Sequence, residues 1–345
     1  FPYTTLFRSS RCKGGPHRWP TGPECECGCN EAAACVCNPQ ESNDCNSCCY
    51  NPNGYQEPPR WNNGASEYFN GIYLKTHESC ADGGIWLPED PSLFRPFVAD
   101  PRQITYSVGW RFNDNALTKN IADISFGDTF AIYRWCNIGP WCGQMQLELE
   151  GAVWAVFDPV AHESPLINAD YYVGLPLTYA FDRWAFRLRL FHISSHIGDE
   201  FLIKYPDFDR RNASSEYLDF FVSLDMTEEI RFYSGLGYIL AQDDEFRMKR
   251  FYAAAGAELR MPSLGFLDSE DQLYGLPFYG MHLRANGDFK RHVDMTYVLG
   301  YEIGKLCGLC RKARFFVEYH DGYCPDGQFY KFADSYLAFR ASYGF

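Results

Sequence analysis

The segment HISSHIGDE at residues 192–200 contains residue types that hydrolytic enzymes use. A serine hydroxyl becomes a nucleophile when a neighbouring imidazole accepts its proton, and a carboxylate orients that imidazole. His192 and Ser194 are two residues apart, so they share one face if the segment is a β-strand. Glu216 offers the carboxylate if the following strand pairs with this one. The three side chains are therefore candidates for a nucleophile, a base and an orienting carboxylate on the surface of a sheet.

The same segment is also consistent with a strand that becomes polar where it ends and continues into a loop. A second polar segment, DGYCPDGQFY at 321–330, contains two glycines and one proline, which predict a turn. Oxygen atoms of the two segments would suit Ca²⁺ or a surface polysaccharide, although their spacing matches no EF-hand loop. The residues concerned are Asp199, Glu200, Asp321, Asp326 and Gln328. We expect structural loops here, with no resident metal and no cofactor.

Twelve runs with an apolar residue at every second position follow from residue 103 to the end of the sequence. In one of them Val293, Met295 and Tyr297 alternate with Asp294 and Thr296. A period of two is typical of β-strands, and a strand that crosses a membrane needs about 9–11 residues. The runs lie near 103–113, 121–135, 144–157, 170–180, 183–195, 214–225, 229–241, 249–260, 277–286, 292–304, 313–321 and 334–345. They predict an all-β fold, a transmembrane antiparallel β-barrel of about 12 strands over residues 103–345.

Alternation alone does not say which face of the strands meets lipid, because a soluble barrel or sandwich has the same period. Strand length and the Trp and Tyr residues near strand ends favour the membrane barrel. The chain also ends with apolar residues at alternate positions, Phe339, Tyr343 and Phe345 among them. That pattern resembles the C-terminal signal that the barrel-assembly machinery of bacterial outer membranes reads. We therefore expect a bacterial outer-membrane protein that contacts outer-membrane lipid.

An even number of strands places both ends of the barrel on the periplasmic side. The connections at 158–169 and 196–213 then lie outside and are long, whereas the turns at 181–182 and 226–228 are short, as expected. Two connections depart from this pattern: that at 261–276 is long and periplasmic, and that from Asn286 to Arg291 is short and external. His192, Ser194 and Glu216 share the parity of the lipid-facing residues, which places them near the outer rim.

The opposite parity predicts a lumen that carries charges of both signs. Opposite charges on neighbouring strands would pair and fill the narrow interior of a barrel of this size. The alternative is a selective channel in which Arg183, Arg187 and Arg189 attract anions. The expected lumen-lining residues are Glu148, Glu150, Arg183, Arg187, Arg189, Glu258, Arg260, Glu302 and Glu318.

Cysteine is concentrated at the N-terminal end, where the first 50 of 345 residues hold nine of the 15 cysteines. Their spacing matches no zinc-binding pattern, so disulfides in an oxidising compartment are favoured over a metal cluster. Cys136, Cys142, Cys307 and Cys310 lie in connections on the same predicted periplasmic side and are further disulfide candidates. The net charge of −13 argues against nucleic acid as a partner.

Four regions follow from these patterns. Residues 1–9 resemble the translation of a common sequencing-adapter oligonucleotide and are set aside as a probable artefact. Residues 10–65 form a Cys-rich periplasmic segment with almost no aliphatic residues. Residues 66–102 contain several prolines and form a lead-in that packs against the region that follows, which is the barrel at 103–345.

Three segments resemble one protein family and follow one another in the same order as in that family. They are WLPEDPSLFRPFVADPR, HISSHIGDEF and DGYCPDGQFY. The family, domain of unknown function 1207, is described from chlamydiae and planctomycetes. The resemblance implies an envelope protein with a structural or narrow-pore role. The Cys-rich segment also resembles proteins of chlamydial envelopes, in which outer-membrane proteins are cross-linked by disulfides. This resemblance implies other Cys-rich envelope proteins as partners.

A second resemblance concerns the His-x-Ser pair. Outer-membrane phospholipases and lipid A deacylases carry a histidine two residues before a serine on the lipid-facing side, with an Asn or Glu on the adjacent strand. The resemblance implies an alternative function as a lipid hydrolase with His192, Ser194 and Glu216. This sequence departs from the pattern at Ser195, where those enzymes have Asn.

Overall fold

The computed structural model describes residues 84–88, 92–141, 143–268, 273–289, 293–305 and 311–345. The first nine residues and the Cys-rich segment at 10–65 lie outside the described residues. The expectations for those two regions therefore remain predictions.

Twelve antiparallel strands form a closed barrel, as the sequence pattern predicts. Closure occurs between the first and last of them, where Tyr106 pairs with Tyr343 and Phe112 pairs with Leu337. Each predicted run overlaps one of these twelve strands. The fourteen strands of the sheet are β1 (Ile85–Trp86), β2 (Tyr106–Phe112), β3 (Asn120–Ile138), β4 (Gly143–Phe157), β5 (Leu166–Phe181), β6 (Trp184–Ile197), β7 (Ala213–Asp225), β8 (Ile230–Gln242), β9 (Phe251–Arg260), β10 (Phe266–Asp268), β11 (Leu273–Asn286), β12 (Asp294–Lys305), β13 (Lys312–Tyr323) and β14 (Ala333–Gly344).

Two short strands, β1 and β10, are additions to the barrel. The first pairs with β3 at Tyr133 and Arg134, beyond the part of β3 that pairs with the seven-residue β2. The second forms a hairpin with β11 inside the long connection after β9. This hairpin explains why that connection is long although it lies at the end of the barrel where short turns are expected.

The described residues contain little helix. They include one short helix, α1 (Asp199–Lys204), which follows β6, and two 3₁₀ turns at Pro262–Leu264 and Gly327–Phe329. Among the described residues, no helix is long and apolar enough to span a membrane.

The side chains of the barrel are distributed in the reverse of the usual soluble pattern. Outward positions carry exposed aliphatic and aromatic residues, such as Val173, which is 50% exposed, and Leu190, which is 48% exposed. Inward positions carry buried charges, such as Arg231 and Glu258, at 2% and 1%. Lipid requires this arrangement, because a bilayer favours apolar side chains and has no water to solvate charges. The barrel is therefore of the outer-membrane type.

The two ends of the barrel differ in the segments that they carry. The terminal end holds the start of β2, the end of β14 and the turns at 182–183 and 226–229. The loop end holds the connections at 113–119, 158–165, 198–212, 243–250 and 324–332. The predicted separation of long connections from short turns is present, with two exceptions: the β10 hairpin, and the short connection between β11 and β12 at the loop end.

Residues 92–103, which we call the interior segment, run inside the barrel. Phe94 and Phe97 are buried, and the Phe97 ring stacks on Tyr233 at 3.8 Å between ring centroids. The backbone is held as well, because Arg231 donates hydrogen bonds to the carbonyls of Arg95 and Pro96 at 2.7 and 3.1 Å. The last residues of the predicted lead-in thus occupy the lumen.

A glycine makes room for the interior segment. A Cβ atom at Gly280 would lie 2.8 Å from Val98 Cγ2 and 3.2 Å from Ala99 Cβ. Side chains cannot approach so closely without displacement, so the segment can follow the wall here only because β11 has no side chain at this position. The backbone N–H of Val98 donates to the carboxylate of Glu258, the register partner of Gly280 on β9, at 3.1 Å and fixes the segment to the same part of the wall.

Candidate functional site

The sequence-predicted histidine and glutamate meet on the outer surface of the barrel. His192 on β6 is the register partner of Glu216 on β7, and His192 Nδ1 lies 3.2 Å from Glu216 Oε1. Their side chains are 38% and 47% exposed, on the same face as Leu190 and Leu218. The strand parity that predicts an outward, lipid-facing position therefore agrees with the geometry. A carboxylate at Nδ1 orients an imidazole and leaves its Nε2 for another partner.

The serine is the next outward residue on β6, and it is partly exposed. Its register partners are Tyr171 on β5 and Ser214 on β7. Among the described contacts, Ser194 Oγ makes no hydrogen bond to His192. Same-face neighbours along a strand are about 6.8 Å apart, so the pair touches only when both side chains turn toward each other. The structure brings together two of the three predicted residues and places the third beside them.

The charged residues predicted for the lumen lie inside the barrel, with one exception. Buried inward positions hold Glu148, Glu150, Arg187, Glu258, Arg260, Glu302 and Glu318, and Arg189 is mostly buried beside them. The exception, Arg183, precedes β6 in the turn, is exposed, and donates to the carbonyl oxygen of Met226 at 3.0 Å. It does not belong to the lumen because the hairpin turn after β5 takes up Asp182 and Arg183, so the strand parity begins only at Trp184.

Ion pairs connect these inward charges from strand to strand. Arg340 lies 2.7 Å from Asp123 and 2.9 Å from Glu318. On β12, the strand beside that of Glu318, Glu302 forms ion pairs with Arg260 at 3.5 Å and Arg314 at 3.2 Å. Removing one member of such a buried pair leaves an uncompensated charge, which destabilises by about 3–5 kcal/mol. These ion pairs agree with the prediction that opposite charges on neighbouring strands pair and fill the interior.

Two of the three arginines predicted to attract anions are already engaged inside the barrel. Arg187 lies over the rings of Phe94 and Phe97, at 4.7 and 5.2 Å from their centroids. Arg189 pairs with Asp219 at 2.6 Å and with Glu150 at 3.5 Å. Their charges are therefore offset by aromatic faces and carboxylates inside the protein.

The DGYCPDGQFY segment seals the loop end rather than gathering oxygen ligands. Asp326 is 1% exposed and forms ion pairs with Arg111 at 2.7 Å and Arg102 at 3.1 Å. Burial alone would raise the pKa of the Asp326 carboxyl, but the two guanidinium groups outweigh it and lower that pKa. Gln328 donates to the carbonyl oxygens of Ser195 and Arg211 at 3.3 and 2.6 Å.

The other candidate oxygen ligands lie elsewhere. Asp199 and Glu200 are exposed in the first turn of α1, and Asp321 is on β13. Within the part of the chain that the structure describes, no group of three His, Cys, Asp or Glu is arranged to hold a metal ion.

Sequence reasoning missed Arg102, which links the interior segment to the loop end. It forms an ion pair with Asp170 and donates to the carbonyl of Pro325 at 2.8 Å. The proline-rich run FRPFVADPR contains this residue, but no period in that run predicts its location.

The cysteines are only partly described. Cys136 is disulfide-bonded and lies near the end of β3, not in the connection after it as predicted, because β3 extends to Ile138. Cys142, Cys307 and Cys310 lie outside the described residues. Cys324 is a buried free thiol, 3.4 Å from Asp326 Oδ2, and burial raises its pKa well above the ordinary value. This thiol therefore stays protonated and unreactive at neutral pH.

The aromatic residues at the C-terminus face outward at the seam of the barrel. Phe339 and Tyr343 on β14 are 57% and 51% exposed. The carbonyl oxygen of Phe345 accepts a hydrogen bond from Arg314 Nη2 at 3.0 Å, and the Arg311 guanidinium lies 4.7 Å from the centroid of the Phe345 ring. The final residue is thus fixed to β13, the neighbour of the last strand.

Comparisons with solved structures find outer-membrane barrels. Outer membrane phospholipase A from Escherichia coli is 13% identical, with a TM-score of 0.48, and the alignment covers 72% of this chain and 98% of that chain. LpxR from Salmonella typhimurium is 11% identical, with a TM-score of 0.36, over 70% of this chain and 100% of that one.

The remaining comparisons concern sequence. None of the curated proteins matches this chain. A family model described as protein of unknown function (DUF1207) matches residues 63–345, which include the barrel and the interior segment. The chain belongs to the DUF1207 family.

Proposed function

We propose that this protein is a closed outer-membrane barrel with a structural role, and not a pore. The observation that carries the proposal is the interior segment, whose Phe94 and Phe97 fill the lumen between inward charges. Each buried phenylalanine stabilises the filled state by about 1.5–3 kcal/mol. Opening the lumen would also leave the guanidinium of Arg231 and the carboxylate of Glu258 without their backbone partners.

Conductance in planar lipid bilayers tests this proposal. The wild-type barrel is expected to insert without steady conductance. Gly280→Leu puts a side chain where the interior segment packs and should displace it, giving channels that conduct. Gly151→Leu is the matched control, because a Cβ at Gly151 has nothing within 4 Å. Steady conductance from the wild type, or equal behaviour of the two variants, would contradict a closed barrel.

The Cys-rich segment extends the structural role to a disulfide-linked envelope. Its nine cysteines are the basis of this part of the proposal, with other Cys-rich envelope proteins as partners and the segment itself in the periplasm. Non-reducing gels of envelope preparations should show large species that collapse when thiols are reduced. A monomer on non-reducing gels with stoichiometric bound zinc would support a metal cluster instead.

The second candidate function is a lipid hydrolase, and the His192–Glu216 pair favours it. A histidine held by a carboxylate on a lipid-facing surface, with a serine two residues further on, is the minimal arrangement for attack on an ester. In this proposal Ser194 is the nucleophile, His192 is the base and Glu216 orients the imidazole. The serine oxygen would bond to the acyl carbon, and His192 would pass the serine proton to the leaving alcohol. Water would then hydrolyse the acyl-enzyme and release the fatty acid.

Release of fatty acid from phospholipid or lipid A vesicles tests the hydrolase. Ser194→Ala should abolish release, while Ser214→Ala, which removes the hydroxyl of its register partner on β7, should not. Glu216→Gln should lower the rate and change its pH profile, because it removes the negative charge beside the imidazole. A wild-type protein without esterase activity, or equal activity in Ser194→Ala, would remove this candidate.

A further inference from the structure

We propose that the barrel contains a binding site for one uncharged sugar ring, either a free monosaccharide or the end of a glycan chain. The site is a cavity of about 220 Å³ inside the loop-end half of the barrel. Phe97 and Arg102 of the interior segment border it on one side, and Phe246, Phe289 and Tyr330 of the loop end border it on the other.

The volume limits the ligand to a small ring with substituents. An engineered protein cavity of about 150 Å³ holds one benzene molecule. The larger space here therefore suits roughly a dozen non-hydrogen atoms, which is the size of a single hexose.

One wall of the cavity is a continuous row of aromatic rings. Centroid distances are 5.6 Å from Trp154 to Tyr172, 5.5 Å from Tyr172 to Phe191 and 4.7 Å from Phe191 to Tyr217. The last two rings are parallel within 3°. The guanidinium groups of Arg189 and Arg102 lie 4.6 Å from the Phe191 centroid and 5.2 Å from the Trp154 centroid, so the row offers mainly ring edges to a ligand. These edges form a rigid apolar wall that contacts the C–H groups of a ring ligand and needs no charge on the ligand.

The arginines around the cavity are already paired, which disfavours an anionic ligand. Arg189 pairs with Asp219, Arg102 pairs with Asp170, and Arg284, which also borders the cavity, pairs with Asp294. An anion would have to break one of these pairs and leave a carboxylate buried without compensation. Asp100 also borders the cavity and forms no ion pair in the part of the chain described; its carboxylate accepts the backbone N–H of Arg102 at 2.9 Å and can accept a ligand hydroxyl as well. Hydroxyl groups can add hydrogen bonds to the remaining lone pairs and N–H groups without breaking any pair.

The cavity also presents polar atoms without partners. Ser215 is 2% exposed and borders the cavity, and its Oγ, near the Tyr217 hydroxyl, makes no hydrogen bond within the structure described. His282 uses Nδ1 for the Tyr233 hydroxyl, and its Nε2 has no partner among the described residues. An unsatisfied buried hydroxyl destabilises a protein. A ligand with several hydroxyls can both donate to and accept from these atoms.

Binding is tested by titration calorimetry on the full chain in an amine-oxide detergent, because glucoside and maltoside detergents themselves carry sugar head groups. The probes are glucose, galactose and N-acetylglucosamine at up to tens of millimolar. At least one is expected to bind saturably. Methyl glycosides of the same sugars distinguish the two sources, since a pocket for free sugar rejects them and a pocket for the end of a glycan accepts them.

Variants and competing probes make the test specific. Ser215→Ala should weaken binding about threefold to tenfold, as expected for one lost hydrogen bond, and Ser215→Leu should abolish it by filling the space. Ser342→Ala is the matched control, because Ser342 is another buried serine without a hydrogen bond and lies outside the cavity. The proposal is overturned if no sugar binds saturably, if only indole or glucuronate binds, or if Ser342→Ala weakens binding as much as Ser215→Ala.

Discussion

The carboxyl of Asp114 at the loop end has an unusually high pKa. Burial and the nearby Asp334 raise its pKa, Arg111 lowers it in part, and the net result is a value of about 6 instead of 3.8. The folded protein therefore holds this proton more tightly than the unfolded chain does between about pH 4 and 6. The stability from this group is fully present below that window and is lost as the pH rises through the folded pKa.

Asp114→Asn is expected to stabilise the folded barrel at pH 7, by on the order of 1–2 kcal/mol, and to change little at pH 4. An asparagine has the shape of the protonated carboxyl and keeps an oxygen for the N–H groups of Ala116 and Leu117, which the aspartate accepts at 3.1 and 2.8 Å. Denaturant unfolding in detergent micelles at the two pH values measures the difference. Asp207→Asn removes an exposed carboxylate at the same end of the barrel and serves as the control.

The candidate esterase residues show how far parity carries a prediction. The period of two fixes the face of every residue on a strand, so the outward positions of His192, Ser194 and Glu216 follow from the sequence. The His192–Glu216 pairing also requires the register of β6 and β7, which their short turn sets. The contact between Ser194 and His192 depends on side-chain rotamers, on which the sequence pattern carries no information.

At the scale of elements, a single substitution in the interior segment is expected to lower the stability of the barrel strongly. Phe97 packs against Phe94, Phe221 and Tyr233 within the lumen. Phe97→Ala should destabilise the barrel by about 3–5 kcal/mol, because truncation of a buried aromatic leaves a cavity that the closed wall cannot collapse to fill. Thermal unfolding in detergent, followed by the mobility shift on gels, measures the loss.

The matched control for Phe97 is an outward phenylalanine. Phe126 on β3 is 63% exposed and meets lipid or detergent, so Phe126→Ala leaves no internal cavity. It should change the unfolding temperature far less than Phe97→Ala does. Equal losses from the two variants would mean that the interior segment contributes little to stability.

Some elements have an apolar residue at every second position of their sequence, and others have no such period. The twelve barrel strands could be predicted because each repeats the alternation long enough to be recognised. Strands β1 and β10 could not, since two or three residues carry no period. The interior segment has prolines at Pro96 and Pro101, which interrupt any regular pattern. Its location is decided by fit to Gly280 and by the partners of Arg231, both of which are distant in sequence.

At the scale of the whole molecule, one distribution of side chains explains which face of the barrel meets lipid and why the lumen is filled with paired charges. Lipid selects the outward apolar set, so the inward set is free to be charged, and a closed ring of strands brings those charges within reach of one another. Arg340 illustrates this, since it connects Asp123 of β3 with Glu318 of β13 across the seam. The individual pairs could not be predicted, because each depends on which strands are neighbours after closure.

The last strand is also the subject of the last prediction, which concerns assembly. Strand β14 closes the barrel by pairing with β2, and Phe345 follows directly after it. Deletion of Phe345 should lower the amount of protein in the outer membrane severalfold, as an assembly signal would require, and Phe345→Tyr should restore it by keeping a terminal aromatic ring. Quantitative blots of outer-membrane fractions measure the level. Refolding in detergent separates loss of the assembly signal from loss of stability. If the truncated chain refolds with the wild-type mobility shift, it has lost only the assembly signal. Wild-type levels of the truncated chain in the outer membrane would show that Phe345 is not part of such a signal.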